Sequence, residues 1–187
     1  GIGSINATTI LNLDGGTFSC TDFFYRQGTN HTINCNGGTL IFRATSSVNS
    51  AIAFVVKSGG AIIEIASGQT QTINSTLTAG AGSSGGLTKN GAGILVLTGS
   101  NTYTGSTTIN AGSIRVSKAG SGGSSTGTAT FTTTSLTVDF ANITPTSGAT
   151  YQFFPGSTAT TGLTVSLTNA GGKTGSYNYS TSTLTIN

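Results

Sequence analysis

Residues Gly85–Val116, GGLTKNGAGILVLTGSNTYTGSTTINAGSIRV, decide the reading of the fold. Short apolar runs alternate with Gly, Asn, Ser and Thr every few residues: Leu87, then Ile94-Leu95-Val96-Leu97, then Ile109, Ile114 and Val116. Runs of this length cannot make helices, and the punctuation between them suits tight turns. The pattern predicts short strands laid side by side, each ended by a turn.

Outside this stretch the same organisation recurs. The turns Asp14-Gly15-Gly16-Thr17, Asn36-Gly37-Gly38-Thr39 and Ser58-Gly59-Gly60-Ala61 are 22 residues apart, and each opens an apolar run. A fixed period of this size is the signature of a solenoid, in which each coil covers the apolar face of its neighbour. Coils of ~20–25 residues would give roughly eight layers, at ~4.8 Å each. Strands are expected at Ile5–Leu13, Gly16–Cys20, Thr29–Cys35, Thr39–Ala44, Ala51–Val56, Ala61–Ala66, Gln71–Ala79, Gly86–Lys89, Ile94–Thr98, Ser106–Asn110 and Ser113–Ser117. Later candidates are Ala129–Phe131, Ser135–Phe140, Thr150–Phe154, Leu163–Thr168, Gly175–Tyr179 and Thr183–Ile186. No ten-residue window carries an uninterrupted helical period.

The chain therefore reads as an all-β, single-domain β-solenoid or β-helix over residues 1–187. Coils fill 1–117, and Lys118–Thr130 is a Gly/Ser-rich loop or junction. Residues 131–187 form a more aromatic terminal strand block, with antiparallel strands and a longer loop near Asn142–Gly148. Thr, Ser, Asn and Gly make 104 of the 187 residues, a composition that could signal low complexity. Disorder goes with high net charge and few β-branched residues, whereas charged residues are 6% here and Thr, Ile and Val abound.

The quoted stretch also resembles a known motif, the autotransporter-associated β-strand repeat of secreted bacterial surface proteins. The resemblance rests on Gly85-Gly86-Leu87-Thr88-Lys89, Gly91, Gly93, Leu95, Leu97 and Gly99. It continues through Asn101-Thr102-Tyr103-Thr104-Gly105, Thr107-Thr108, Asn110, Gly112 and Val116. It implies a right-handed β-solenoid on the cell surface, without implying a shared activity or binding site. The chain departs from the autotransporter plan by showing no membrane-barrel segment after its last strand.

Charge excludes one class of partner. Net charge is +3, but Arg26, Arg43, Lys57, Lys89, Arg115, Lys118 and Lys173 are scattered, so no nucleic-acid groove is expected. The longest strongly apolar run, Ala51–Val56, is too short for a transmembrane helix, and no membrane insertion is expected. The opening GIGSINATTI lacks a charged region followed by a long apolar run, which is the expectation for a chain exported and shown after signal-peptide removal. An extracellular or cell-surface location follows as the expectation.

Residues that could carry chemistry are few. Asp14, Asp22, Glu64 and Asp139 are the only carboxylates, and sugar hydrolysis needs two of them converging on one bond. Asp14 falls in a turn, and Glu64 alternates outward along an apolar strand. His31 is the lone histidine, with no Gly-x-Ser-x-Gly elbow to accompany it. Gly80–Gly86 lacks the Lys-Ser/Thr ending of a phosphate loop. No catalytic, cofactor or metal residues are assigned. A polysaccharide-active enzyme stays as the lesser alternative.

Cys20 and Cys35 are 15 residues apart and are the disulfide candidate, stapling neighbouring coils for about 3 kcal/mol; two buried thiols are the other reading. The aromatic cluster Asp22-Phe23-Phe24-Tyr25-Arg26 reads as an end cap or core packing, or as a contact surface through Phe23, Phe24, Tyr25 and Arg26. Asn-x-Ser/Thr triplets at Asn6, Asn30, Asn74, Asn142 and Asn178 fit glycosylation but arise readily in such a composition. Both termini read as strands without charged caps, and open strand edges template further pairing. Leu184 and Ile186 are therefore expected at an interface. The first expectation is a structural subunit that polymerises with copies of itself, head to tail, into an extracellular or cell-surface fibre. The alternative is an autotransporter-like adhesin passenger that binds surface glycans or host or neighbouring cells through exposed Thr/Asn ladders and aromatics.

Overall fold

The computed structural model describes residues 8–21, 31–99, 101–105, 107–117, 129–131, 135–139, 145–152, 158–159, 164–168, 170–178 and 183–187. Among them every regular element is a strand. In chain order these are β1 (Thr9–Leu13), β2 (Thr17–Cys20), β3 (His31–Cys35), β4 (Thr39–Phe42), β5 (Ser46–Val48), β6 (Ile52–Val56) and β7 (Ala61–Ile65). Then come β8 (Thr70–Ile73), β9 (Leu77–Ala79), β10 (Leu87–Asn90), β11 (Ile94–Leu97), β12 (Thr107–Ile109) and β13 (Ser113–Ser117). The series ends with β14 (Ala129–Phe131), β15 (Ser135–Asp139), β16 (Thr150–Gln152), β17 (Thr158–Ala159), β18 (Thr164–Thr168), β19 (Gly175–Asn178) and β20 (Thr183–Ile186).

Three parallel sheets make a β-solenoid. Sheet A has the order β1-β3-β6-β9, sheet B has β17-β14-β12-β10-β7-β4-β2, and sheet C has β18-β15-β13-β11-β8-β5. The chain visits A, then B, then C, and then returns one layer on. Thr9 thus pairs with His31, and Thr17 with Thr39, each 22 residues later. Parallel strands need such a crossover, and the period seen in the turns supplies it.

The next layer corrects the simple repeat. Thr39 pairs with Ile62, not with Ala61. Leu40 and Ile63 are both fully buried, and a one-residue slip is what puts both on the inward face. The Gly59-Gly60 corner absorbs the extra residue, with the Gly37 amide donating to the Gly60 carbonyl at 2.9 Å.

Inward residues stack into columns: Ile33, Phe54 and Leu77 in sheet A, Leu40, Ile63 and Ile109 in sheet B, and Val48, Ile73 and Leu97 in sheet C. All belong to one apolar cluster. Each fully buried Leu, Ile or Phe contributes about 1.5–3 kcal/mol against exposure, so the column is the main source of stability.

The expected strand Gln71–Ala79 is two strands. Asn74-Ser75-Thr76 forms the corner between sheet C and sheet A, and the Ser75 hydroxyl donates to the Asn49 carbonyl at 2.8 Å. β5 and β17 carry no strong apolar signal, and the sequence did not reveal them. At the C-terminal end, β16-β20-β19 form an antiparallel sheet, as the sequence led us to expect of that block. Among its aromatic residues Tyr177 packs against the core; Phe140, Phe153, Phe154 and Tyr179 lie outside the described residues, as do the greater part of the Lys118–Thr130 loop and residues 142–144.

Candidate functional site

The quoted stretch occupies the place where the solenoid changes cross-section. Sheet A stops at β9 among the described residues, while sheets B and C continue. The next layer covers β9 with the irregular segment Asn101–Gly105 in place of a strand. The buried Asn101 side-chain oxygen accepts from the Leu77 amide at 3.0 Å. The Thr102 and Tyr103 amides both donate to the Leu77 carbonyl, at 2.9 and 3.2 Å. One side chain and two amides thus satisfy the backbone groups that a strand would have paired. Tyr103 is fully buried and its hydroxyl bonds to that of Thr107, itself buried.

One layer below, Lys89 lies where an apolar residue is due. Its column in sheet B runs Leu40, Ile63, Lys89, Ile109. Lys89 is 0% exposed. Its ammonium donates to the carbonyls of Asn90 (2.7 Å), Gly91 (2.7 Å) and Ala111 (3.2 Å). Three donors meet three acceptors, which is the condition for burying an ammonium. Two acceptors belong to its own coil and one to the next, so the side chain ties neighbouring corners together. Burial pushes its pKa down from 10.5 to about 8, and the Glu64 carboxylate pulls it partly back.

The glycines of this stretch permit the close stacking. A Cβ on Gly85 would overlap the Lys57 carbonyl oxygen, and one on Gly93 the Ala66 carbonyl oxygen. By sequence alone Lys89 is one of seven scattered cations. The available signal was alternation: two residues after the inward Leu87, position 89 must face the core.

Among the described residues the other nominated side chains do not converge. Asp14 accepts from the Asn36 side-chain amide at 3.0 Å in a surface ladder. Glu64 is half-buried on the outer face, and Asp22 lies outside the described residues. Among the described residues no three His, Cys, Asp or Glu side chains come together.

Cys20 and Cys35 remain thiols. A coil of 22 residues explains this: 15 residues carry the chain from the end of β2 in sheet B to the end of β3 in sheet A, not onto the next layer of the same sheet. Cys20 donates to the Ile41 carbonyl at 3.7 Å, and Cys35 lies in register between Leu13 and Val56. Burial pushes the Cys35 thiol up to about 12.

The expected interface residues Leu184 and Ile186 are core residues, 0% and 1% exposed. Their strand β20 is central in its sheet, paired on both sides, so it offers no edge. Phe23, Phe24, Tyr25 and Arg26 lie outside the described residues. Exposed large apolar side chains occur at the opposite end, Ile10 (58%) on β1 and Phe18 (40%) on β2.

Comparison with known proteins adds one finding. The family model described as the passenger-associated-transport-repeat matches residues 87–116. This is the segment that carries the Lys89 tie, the Asn101 cover and the close-packed glycines. No curated protein and no solved structure matches the chain. The matched repeat and the β-solenoid together support an autotransporter passenger-like module, and the repeat family points to a surface or secreted protein.

Proposed function

We propose that this chain is a non-catalytic, rod-like part of a protein exported to the cell surface or beyond, after signal-peptide removal, and that residues 87–116 serve its export by holding the coils in register. The observation that carries the reading is the coincidence of the passenger-associated-transport-repeat match with the inter-coil locks made by the buried Lys89 and Asn101 side chains. A segment that stays folded as one block suits a chain that must assemble layer by layer after crossing a membrane. The scattered carboxylates support a scaffold over an enzyme.

The test is surface display. The chain, joined to a signal peptide and an outer-membrane translocator barrel, is expected at the surface of the producing cell, open to added protease. Retention inside the cell by the intact chain would overturn the reading. Loss of display on exchanging Lys89 and Asn101 for Ala, with barrel insertion intact, would support the role of 87–116.

A second reading, the fibre subunit, keeps one specific observation. Ile10 and Phe18 are exposed on β1 and β2, the end strands of sheets A and B. A joint would use this end and not Leu184 and Ile186. Electron microscopy of native protein decides it: filaments support the fibre, and dispersed short rods at all concentrations remove it.

A further inference from the structure

The outer face of sheet B differs from its apolar inner face in a regular way. One outward column runs Thr17, Thr39, Ile62, Thr88, Thr108 in register. The backbone register continues it to Thr130 and Thr158. No hydrogen bond is made by the hydroxyls of Thr17, Thr39, Thr88 or Thr108, among the described residues. Threonines elsewhere do bond within the chain: Thr78 donates to the Phe54 carbonyl at 3.0 Å, and Thr98 to Asn74 at 3.0 Å. The neighbouring column places Glu64 in register with Ile41 on one side and Asn90 on the other. Asn90 accepts from the Asn110 amide at 2.8 Å and keeps its own amide hydrogens for another acceptor. Ile41 is buried at 9% exposure, and Ile62 is half-buried beside it.

This face combines hydroxyls, amide groups, one carboxylate and one guanidinium around a small apolar ledge. We infer that it is a binding strip for a neutral, extended polysaccharide lying along the stacking axis of sheet B. Sugars present the complement: an apolar C–H face for Ile62, with ring hydroxyls around it for Thr39, Thr88, Glu64 and Asn90. Charge selects among sugars. Charges balance in the strip: the Arg43 guanidinium donates to the Ser19 hydroxyl at 2.7 Å in the same column as Ile41 and Glu64, so no net charge recruits an anionic polymer. Size selects the occupant. Seven strands at ~4.8 Å and four residues at ~3.3 Å give a face of about 29 by 13 Å. That is about 380 Å², under half of the ~800 Å² per partner that a stable protein interface uses. A narrow linear chain fits where a protein does not.

The inference goes beyond the scaffold role and stands on separate observations. Co-sedimentation of the native protein with an insoluble panel tests it: cellulose, chitin, β-glucan and mannan as neutral polymers, and calcium alginate as the anionic one. Retention on at least one neutral polymer above alginate is expected. The triple variant Thr39→Val, Thr88→Val, Thr108→Val keeps shape and strand preference, and is expected to bind that polymer about tenfold more weakly or worse. Glu64→Gln is expected to weaken it several-fold. Thr72→Val, on the outer face of sheet C, is the control and leaves binding unchanged. Absence of retention across the neutral panel by folded protein, preference for alginate, or undiminished binding by a folded triple variant overturns the proposal. Binding by purified protein involves no export step, so failure here and failure of surface display are told apart.

Discussion

The coils before Leu87 and the segment Leu87–Val116 hold themselves together differently. The earlier coils rely on repetition. Each strand of sheets A and B repeats the inward column of its neighbour, and surface ladders such as Asn34 to Asn12 (2.7 Å) and Asn36 to Asp14 (3.0 Å) add links in the open. The later segment relies on individual side chains. Lys89 bridges two corners from the core, Asn101 takes the place of a strand, and Tyr103 fills the interior. Repetition suffices while all three sheets continue. Where sheet A ends, backbone groups lose their strand partners, and specific side chains must supply them.

The sharpest way to break this contrast is to change how closely the layers approach. In Gly93→Ala the new methyl collides with the Ala66 carbonyl oxygen, which is backbone and cannot rotate aside. A loss of about 3–5 kcal/mol is expected, read from urea unfolding. Gly68 in an earlier coil has φ +73 and open space around its Cβ position. Gly68→Ala carries the left-handed conformational cost alone, about 1–2 kcal/mol. Equal losses at the two sites would show that the close approach at Gly93 adds nothing to stability.

The Lys89 tie predicts a pH dependence that the earlier coils lack. Its pKa falls from 10.5 unfolded to about 8 folded. Between these values the unfolded chain holds more protons, so stability rises with pH from about 8 to about 10.5. The rise is expected to be about 3 kcal/mol. Lys89→Met fills the column without a titrating group and is expected to remove this rise. Glu64→Gln withdraws the charge that holds the pKa up, so the rise begins at lower pH. A variant and a parent with parallel profiles would show that Lys89 titrates as an ordinary surface lysine.

Much of the architecture was legible, because a solenoid writes its period into its turns. The 22-residue spacing of the Gly-Gly corners gave the coil, and alternation gave the inward columns. The one-residue slip at Ile62 was not legible from the turns, since the corner glycines align while the apolar faces do not. The candidate site was half legible. Motif residues marked where it lies, but a lysine in an apolar column looks like a surface cation until its carbonyl partners are located. The Cys20–Cys35 pairing failed for the same geometric reason that the repeat succeeded: a 22-residue coil leaves a 15-residue spacing between two sheets.

A smaller effect separates buried from exposed amide contacts. Asn101→Ala strands the Leu77 amide in the interior, and a loss of about 1–2 kcal/mol is expected. Asn12→Ala removes an exposed ladder contact, which water replaces, and is expected to change stability by less than about 0.5 kcal/mol. The midpoints of thermal unfolding check the pair, and similar shifts would mean that Asn101 is only another ladder residue.

The smallest expected effect is none at all, and it tests the comparison from the earlier coils. If stacking alone holds these coils, dithiothreitol leaves the unfolding midpoint unchanged, because no Cys20–Cys35 bond exists to reduce. Thiol labelling sharpens the point. Cys20 is half-buried on an end strand, whereas Cys35 is 1% exposed and its thiol is raised to about 12. The thiolate is the reacting form, so Cys35 is doubly protected. A maleimide at neutral pH is expected to label one cysteine in the native protein and two in urea. Labelling of neither in urea without reductant would show that a bond had formed, and the 22-residue coil would then have to give way around β2 and β3.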